Sequence, residues 1–185
     1  STERLFALYE KHQRLCVEAT AQCILFHLDN QVKNEPELML NLISHGPVEK
    51  GLDMVDGGAM YYNMCIDGTG IASVADSFAA LQQRIEQEKR LSWETMYESL
   101  CQNFENEGGE YIRRMLSASN RYGGGGGIAD AWGERISKSF TRDVNDMDAL
   151  RKGVKFIPGW FSWSNTIALG KAVKATPNGR KDFCL

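Results

Sequence analysis

The sequence offers very few segments that can form β-strands, and these stand far apart in the chain. One extended segment is predicted around 59–66 and another at 154–157, where Pro158-Gly159 is expected to stop the strand. Most of the chain between them has the apolar spacing of three and four residues that is typical of helices. Two or three short strands cannot close a sheet among themselves and need further strands from elsewhere. The fold is therefore expected to be α/β and predominantly helical, a single partial domain over 1–185.

The helical stretches carry recognisable apolar stripes and end signals. In the first helix Leu5, Leu8, Leu15 and Phe26 fall on one face, and Asn34-Glu35-Pro36 ends the pattern. Further helices are predicted at 37–43, along the stripe from Val74 to Ile85, after the N-cap candidate Ser92, at 110–117 and at about 129–150.

Composition and charge narrow the classes of partner. The chain has 185 residues, 43% hydrophobic and 24% charged, with a formal net charge of −3. This balance is that of a globular domain and disfavours nucleic acid or an anionic membrane as partner. No apolar run is long enough to span a bilayer, and the first residues lack a signal pattern, so a cytoplasmic protein is expected. The five cysteines form no C-x-x-C pair, which favours free thiols.

Two tempting sites fail on their chemistry. The glycine run at 123–127 lacks the Lys-Ser/Thr of a phosphate loop, and Asp130 shortly after it would repel phosphate. A flexible entry to a helix is the better interpretation. His12 and His27 stand too far apart on one predicted helix to share an ion, and His45 has no partner nearby in sequence. No metal site is predicted.

Five motifs, in a fixed order, point to one protein family. They are Gly57-Gly58-Ala59-Met60-Tyr61-Tyr62-Asn63, the stretch Gly70 to Ala80, Arg121-Tyr122-Gly123 with Asp130, Phe156-Ile157-Pro158-Gly159 with Ser164-Asn165 and Gly170-Lys171, and Ala175-Thr176-Pro177-Asn178-Gly179-Arg180. Together they resemble the glycyl radical enzymes, the family of pyruvate formate-lyase, diol and choline lyases and arylacetate decarboxylases. The resemblance implies part of an antiparallel α/β barrel, with 1–43 as a helical lead-in and 52–180 as the family-like core.

The resemblance also implies a radical mechanism with named partners. In the family, an activating enzyme that uses S-adenosylmethionine and an iron–sulfur cluster makes a glycyl radical, which generates a cysteine thiyl that abstracts hydrogen from the substrate. The Gly-Cys and Arg-Val-x-Gly-Tyr/Phe motifs that carry these radicals do not occur in this sequence, and Cys65 follows Met64 rather than Gly. The chain is thus expected to lie between the catalytic cysteine and the radical loop, to hold no catalytic, cofactor-binding or metal-binding residue, and to be inactive alone.

The expected function is therefore that of a segment of a lyase, dehydratase or decarboxylase. Its expected partners are the remainder of the barrel, in the same or a separate chain, and the activating enzyme, in a homo-oligomeric parent. One alternative is a non-catalytic structural or binding module, such as one half of a split enzyme. Another is an unrelated helical protein with chance motif matches.

Trp160, Phe161, Ser162 and Trp163 are the candidate substrate-binding residues. By themselves they fit either a pocket wall or a core, and the resemblance favours the substrate cavity. Such bulky aromatics suit an apolar or aromatic substrate better than a small triol or pyruvate. Two further expectations concern backbone: 175–180 is a Pro/Asn/Gly turn, and the helix after Gly124–Gly127 lacks the Asn/Asp caps that the family has there.

Overall fold

The structure is a computed structural model that describes residues 1–151, 153–162, 164 and 166–182. Within them the chain is mostly helical and has one small, two-stranded parallel sheet. The α-helices are α1 (Thr2–Asn34), α2 (Leu38–Ile43), α3 (Pro47–Lys50), α4 (Ile71–Leu81), α5 (Trp93–Cys101), α6 (Gly109–Ser117), α7 (Ile128–Asp146) and α8 (Thr166–Val173). The strands are β1 (Asn63–Gly68) and β2 (Lys155–Trp160), short 3₁₀ turns lie at Met54–Asp56 and Met147–Leu150, and a π-helical segment, Gln82–Gln87, continues α4. The predominantly helical character is confirmed.

The two strands pair with each other, and the Lys155 N–H, at the start of β2, donates to the Tyr62 carbonyl just before β1 (2.9 Å). β2 continues through Pro158 and Gly159 to Trp160, so the expectation that the strand stops at Pro158 is wrong. A two-stranded sheet leaves one edge of each strand unpaired, and a proline, which has no N–H, is tolerated there.

Helix α1 is longer than its predicted stripe and buries a different face. The predicted stripe is exposed at Leu8 (50%), Leu15 (53%) and Phe26 (72%). The buried positions of α1 are Thr2, Phe6, Val17, Ala21 and Leu28. Two apolar faces thus run along α1, and one of them remains open to contacts.

The described chain divides into two compact units, each assembled from separate stretches. Unit 1 consists of Ser1–Leu8, Thr69–Ser139 and Trp160–Leu185, and unit 2 of Tyr9–Gly68 and Phe140–Gly159. In unit 1, a core of buried side chains from α4 to α6 includes Leu81, Met96, Phe104 and Leu116. Beside it, the Phe78 and Trp132 rings stack with centroids 4.8 Å apart.

The π-helical segment of unit 1 holds a buried arginine, and each of its three side-chain nitrogens has an acceptor. Arg84 Nε donates to the Met115 carbonyl (3.1 Å) and to Ser119 Oγ (3.0 Å), and Nη2 donates to the Ala118 carbonyl (2.9 Å). Its Nη1 donates to both carboxylate oxygens of Glu88 (2.8 and 2.7 Å). Arg84 therefore satisfies carbonyls at the end of α6 that have no partner within that helix.

Two other side chains of the same segment form hydrogen bonds to α1 and α7. Glu86 Oε1 accepts from the Thr2 backbone N–H at the start of α1 (2.6 Å), and Gln82 Oε1 accepts from Trp132 Nε1 on α7 (2.7 Å). A π-helical turn displaces side chains from regular α-helical spacing. Through Gln82, Arg84 and Glu86, the π-helical segment thus forms hydrogen bonds to α7, α6 and α1.

Unit 2 is organised around a buried carboxylate. Asp143, which has no exposed surface, accepts from Gln13 Nε2 (3.0 Å) and forms ion pairs with Arg14 (3.5 Å) and Arg142 (3.1 Å). Burial, and then the nearby charge of Asp143, raise the pKa of Tyr9 to about 12. The apolar core of unit 2 includes Val17, Ala21, Leu28, Val55, Ile66, Val144 and Phe156.

Candidate functional site

The segment 175–180 forms the expected turn, and its own asparagine closes it. The Thr176 N–H donates to the Arg180 carbonyl (3.0 Å), and the Gly179 N–H donates to the Thr176 carbonyl (3.0 Å). Asn178 Oδ1 accepts from Thr176 Oγ1 (2.7 Å) and from the Arg180 N–H (3.2 Å). We call this segment, 175–180, the signature turn. Its shape is fixed internally by an asparagine side chain that hydrogen-bonds its own backbone, as turns of this composition do.

Gly179 lets the signature turn lie directly on α6. Its φ is +88°, in the left-handed region that favours glycine. A Cβ at this position would meet Ser117 Oγ and would lie 2.7 Å from the Arg113 carbonyl oxygen. Any larger residue must push the turn away from the helix.

Arg121 connects three of the sequence motifs. Its Nη1 donates to Asp76 Oδ2 on α4 (2.9 Å), and its Nη2 donates to the Asn178 carbonyl in the signature turn (3.0 Å). The guanidinium also donates to the Ser117 carbonyl at the end of α6 (3.2 and 2.8 Å). The Tyr122 N–H donates to the other oxygen of Asp76 (2.7 Å). One arginine thus positions the turn relative to two helices.

Arg180 attaches the other side of the signature turn to α8. Its Nη1 donates to the Gly170 carbonyl (3.3 Å) and its Nη2 to the Lys174 carbonyl (2.5 Å). A cation is favoured at this end of a helix, where carbonyls lack intrahelical partners. The turn is therefore held by Arg121 on one side and by Arg180 on the other.

A cavity of about 460 Å³ lies between α4, α8 and the signature turn, all within unit 1. Its hydroxyl-bearing lining residues are Thr69, Ser73, Ser77, Ser162, Thr166 and Thr176. Its apolar lining residues are Val74, Phe161, Leu169 and Val173. Arg180 also reaches its lining. We call this space the hydroxyl cavity, and its size and mixed lining are typical of small-molecule sites.

The four candidate substrate-binding residues have different positions. Phe161 and Ser162 line the hydroxyl cavity. Trp160 is half-buried, and its Nε1 donates to Ser137 Oγ on α7 (3.2 Å). Trp163 lies outside the described residues. A substrate-binding role for these residues stays a prediction.

The glycine run has an anchor that the sequence analysis did not foresee. The Asp130 carboxylate accepts from the N–H groups of Gly123 (2.7 Å), Gly125 (2.9 Å) and Gly127 (3.3 Å). Asn120 Oδ1 accepts from the Ala129 N–H in the first turn of α7 (2.8 Å). The expectation that this helix lacks side-chain caps is therefore wrong. The amides that a phosphate would need are occupied by a carboxylate, as the argument against a phosphate loop requires.

Replacing Asp130 with Asn is expected to loosen this loop. The N–H donors, that of Gly123 foremost, hold the pKa of Asp130 below its usual range, so the folded state favours the carboxylate. The loop contacts stabilise the protein above the unfolded pKa of about 3.9. That stabilisation is lost as the pH falls through the lower folded value. Faster amide exchange of Gly123 and Gly125 in Asp130→Asn, measured by NMR, would bear this out.

The matched control for that experiment is Glu134→Gln, on the same helix. Glu134 pairs with Lys138 and makes no bond to the glycine run in the described chain. Its substitution should leave both glycine amides unchanged. Equal exchange rates in Asp130→Asn and the parent chain would contradict the anchoring role.

The hydroxyl side of the cavity was missed by sequence reasoning, although a signal existed. Ser73 and Ser77 stand four residues apart on α4, so they share one face, and Ser77 Oγ donates back to the Ser73 carbonyl (2.6 Å). Of this lining, the sequence predicted Phe161 and Ser162 but not Ser73 and Ser77. The usable pattern was two hydroxyls at helical spacing inside the recognised stretch Gly70 to Ala80.

Among the described residues, no group of three or more His, Cys, Asp or Glu side chains is arranged to hold a metal ion. No helix in that part of the chain combines the length and apolar character needed to cross a membrane. Cys16, Cys23, Cys65 and Cys101 are free and exposed.

Comparison with known proteins gives a consistent result. Residues 1–170 match the family model described as pyruvate formate lyase-like. The chain is 26% identical over 183 residues to trans-4-hydroxy-L-proline dehydratase of Clostridioides difficile, covering 97% of this chain and 23% of that protein. It is 32% identical over 117 residues to isethionate sulfite-lyase of Desulfovibrio desulfuricans, covering 61% of this chain and 13% of that protein.

Solved structures show the same fold. The hydroxyproline dehydratase of Clostridioides difficile, with substrate bound, superposes with a TM-score of 0.87 at 25% identity, over 98% of this chain and 23% of that one. The B12-independent glycerol dehydratase of Clostridium butyricum superposes with a TM-score of 0.88 at 22% identity, over the same shares of both chains. The chain spans about a quarter of the length of the dehydratases that it matches from end to end.

Proposed function

The chain belongs to the pyruvate formate lyase-like family of glycyl radical enzymes, and we propose that it forms one wall of the substrate cavity in a lyase or dehydratase of that family. In this proposal it is a segment of the antiparallel α/β barrel. The catalytic cysteine and the radical glycine belong to other residues of the enzyme. We also propose that the enzyme is cytoplasmic and homo-oligomeric, and that the remainder of the barrel lies in the same or a separate chain. Its further partner is a radical-activating enzyme.

The observation that carries the proposal is the hydroxyl cavity. Phe161 and Ser162, which precede the signature turn, lie on its wall together with Ser73 and Ser77 of α4. An apolar wall with several hydroxyls suits a small hydroxylated compound that turns its carbon skeleton to the apolar side, rather than the apolar or aromatic substrate that the aromatic segment alone suggested. The relatives named as dehydratases and sulfite-lyase support a substrate of this size.

The residues of this chain would contribute positioning and exclusion of water. Hydroxyls of Ser73, Ser77 and Ser162 can donate to, or accept from, a substrate hydroxyl and so fix which carbon faces the radical. Phe161 and Val74 would keep water out, which radical chemistry requires. No proton or hydrogen transfer is assigned to these side chains.

Exposed apolar surface supports a role within a larger assembly. The side chains of α2 at Met39 (74%) and Ile43 (77%) are exposed, as is Phe26 on α1. Contiguous apolar surface of this kind usually marks an interface. In the proposed barrel, this surface packs against further strands and helices of the same fold.

A cavity-narrowing substitution tests the proposal directly. Ser73→Leu removes a lining hydroxyl and fills part of the hydroxyl cavity, while Ser73 itself is exposed and its replacement should not harm the fold. In the activated enzyme that carries these residues, kcat/KM should fall by roughly tenfold or more, the order that one misplaced group in a pocket produces. The glycyl radical signal, measured by electron paramagnetic resonance, should be unchanged.

Ala72→Leu is the matched control, because Ala72 is the exposed neighbour on α4 and does not line the cavity. It should leave kcat/KM within about twofold, as surface substitutions do. The substrates to test are trans-4-hydroxy-L-proline, isethionate and glycerol, which the relatives' names provide. Equal losses in both variants, or none in either, would refute the assignment of this cavity to the substrate.

A further inference from the structure

A second cavity, of about 490 Å³, lies on the opposite side of the signature turn, against α6. It is lined by Glu110, Arg113, Ser117, Arg121 and residues 178–181. Four of these side chains are cations and one is an acid. We call this space the basic cavity. It lies wholly within unit 1 and is built largely from different residues than the hydroxyl cavity.

Two of the four cations have their charge compensated. Arg113 donates to both oxygens of Glu110 (2.8 and 2.7 Å), and Arg114, outside the lining, donates to the same carboxylate (2.9 Å). These arginines, Arg113 first, lower the pKa of Glu110 to about 2, so its charge persists at neutral pH. Arg121 is paired with Asp76 (2.9 Å). The Arg121–Asp76 pair is neutral, whereas the single Glu110 carboxylate faces two guanidiniums and leaves one net positive charge beside the cavity.

The other two cations have no acid partner in the described part of the chain. The guanidinium of Arg180 donates to the carbonyls of Gly170 and Lys174, which are neutral acceptors. Lys181, the next residue, forms no hydrogen bond or ion pair within the described ranges. Two adjacent, uncompensated cations therefore border the same cavity.

The end of α6 does not cancel this positive charge. Carbonyls at a helix C-terminus repel anions, but here they already have donors. Arg84 donates to the Met115 and Ala118 carbonyls, and Arg121 donates to the Ser117 carbonyl. The hydroxyl of Ser117 makes no hydrogen bond to described residues and lines the cavity, so it is available as a donor.

We propose that the basic cavity binds a phosphate-class oxyanion between Arg180, Lys181 and Ser117. Charge-assisted bonds from a guanidinium and an ammonium, with a hydroxyl as third donor, suit an anion with three or more acceptor oxygens. A carboxylate offers only two. The cavity is large enough to hold an organic group in addition to the anion, so the ligand is either free phosphate or a phosphate ester.

Isothermal titration of the chain with inorganic phosphate, and separately with glycerol 3-phosphate, tests this site at constant ionic strength. Both are expected to bind saturably, and tighter binding of the ester would identify an organic phosphate as the ligand. Acetate should bind more weakly than either. Lys181→Gln should weaken binding roughly tenfold, as loss of one charge-assisted contact does. Lys181 forms no hydrogen bond or ion pair with the described residues, so this variant should stay folded.

Lys89→Gln is the matched control, since Lys89 is an exposed lysine of the same unit that lies outside the lining. It should bind phosphate like the parent chain. Absence of saturable binding would overturn the proposal, and so would equal affinities of Lys181→Gln and the parent. An equal loss in Lys89→Gln would also overturn it, because the effect would then be one of general surface charge. These measurements report binding and not turnover, so their outcome is independent of the kcat/KM test of the hydroxyl cavity.

Discussion

Gly179→Ala is expected to destabilise unit 1 by about 3 kcal/mol, from a left-handed backbone cost of about 1 and an overpacking cost of about 2. The φ of +88° strains any residue with a Cβ. The added methyl also meets Ser117 Oγ and the Arg113 carbonyl of α6, and a helix backbone gives way poorly. The described tryptophans all belong to unit 1, so urea unfolding followed by tryptophan fluorescence reports on this unit.

Gly108→Ala separates the two contributions. Gly108 belongs to the same unit and has a φ of +75°, but a Cβ there meets nothing within 4 Å. Gly108→Ala should therefore lower the free energy of unfolding only by the cost of the left-handed backbone, about 1 kcal/mol. If the two variants lose the same stability, the close approach of the signature turn to α6 contributes nothing and our account of this turn is wrong.

Arg84→Met should be comparably severe, at about 3 kcal/mol, the low end of the range for breaking a buried, fully hydrogen-bonded charge. Methionine fills much of the same volume but cannot donate to the Met115 and Ala118 carbonyls. The Ala118 carbonyl would then lose its side-chain donor, and the Met115 carbonyl would keep only the longer bond from Ser119 Oγ (3.4 Å). The same fluorescence measurement in urea should show a lower midpoint with little change of slope.

Arg90→Met is the matched control, because Arg90 lies near the same carboxylate, Glu88 (3.8 Å), but is half exposed. Its loss should cost less than about 1 kcal/mol, as for surface ion pairs. A similar loss in both variants would assign the effect to charge near Glu88 rather than to the buried carbonyls.

Local signals in the sequence predicted many element ends correctly. Ser92 Oγ accepts from the Thr95 N–H (3.1 Å) at the start of α5, as expected of an N-cap. Helix α1 ends before Pro36, and the Pro/Asn/Gly segment at 175–180 is a turn. These features depend on a few neighbouring residues, so spacing and residue type suffice to find them.

Contacts between distant parts of the chain could not be predicted in this way. Arg121 reaches Asp76, 45 positions away, and Asn178, 57 positions away, and no periodicity encodes such a pairing. The motif order pointed to the family but not to the arginine that joins the motifs. The Asp130 anchor was missed for the opposite reason. Its partners are close in sequence, but they are backbone amides, which a sequence does not distinguish.

The face of α1 that would be buried was also beyond sequence reasoning. Leu8 and Leu15 recur at helical spacing as Val17, Ala21 and Leu28 do, and hydrophobicity alone does not rank the two faces. The choice depends on which partners the fold brings near. The hydroxyl cavity is similar, since it forms only where α4, α8 and the signature turn converge.

The assembly of unit 1 from three separate stretches has a consequence for folding kinetics. Residues 1–8 belong with 69–139 and with residues from 160 onwards, so several of its contacts join positions more than a hundred residues apart. High contact order slows folding, because long loops must close before distant contacts form. During synthesis, unit 1 cannot be completed until residues beyond 160 have left the ribosome. Until then, its apolar surfaces stay exposed, which favours aggregation.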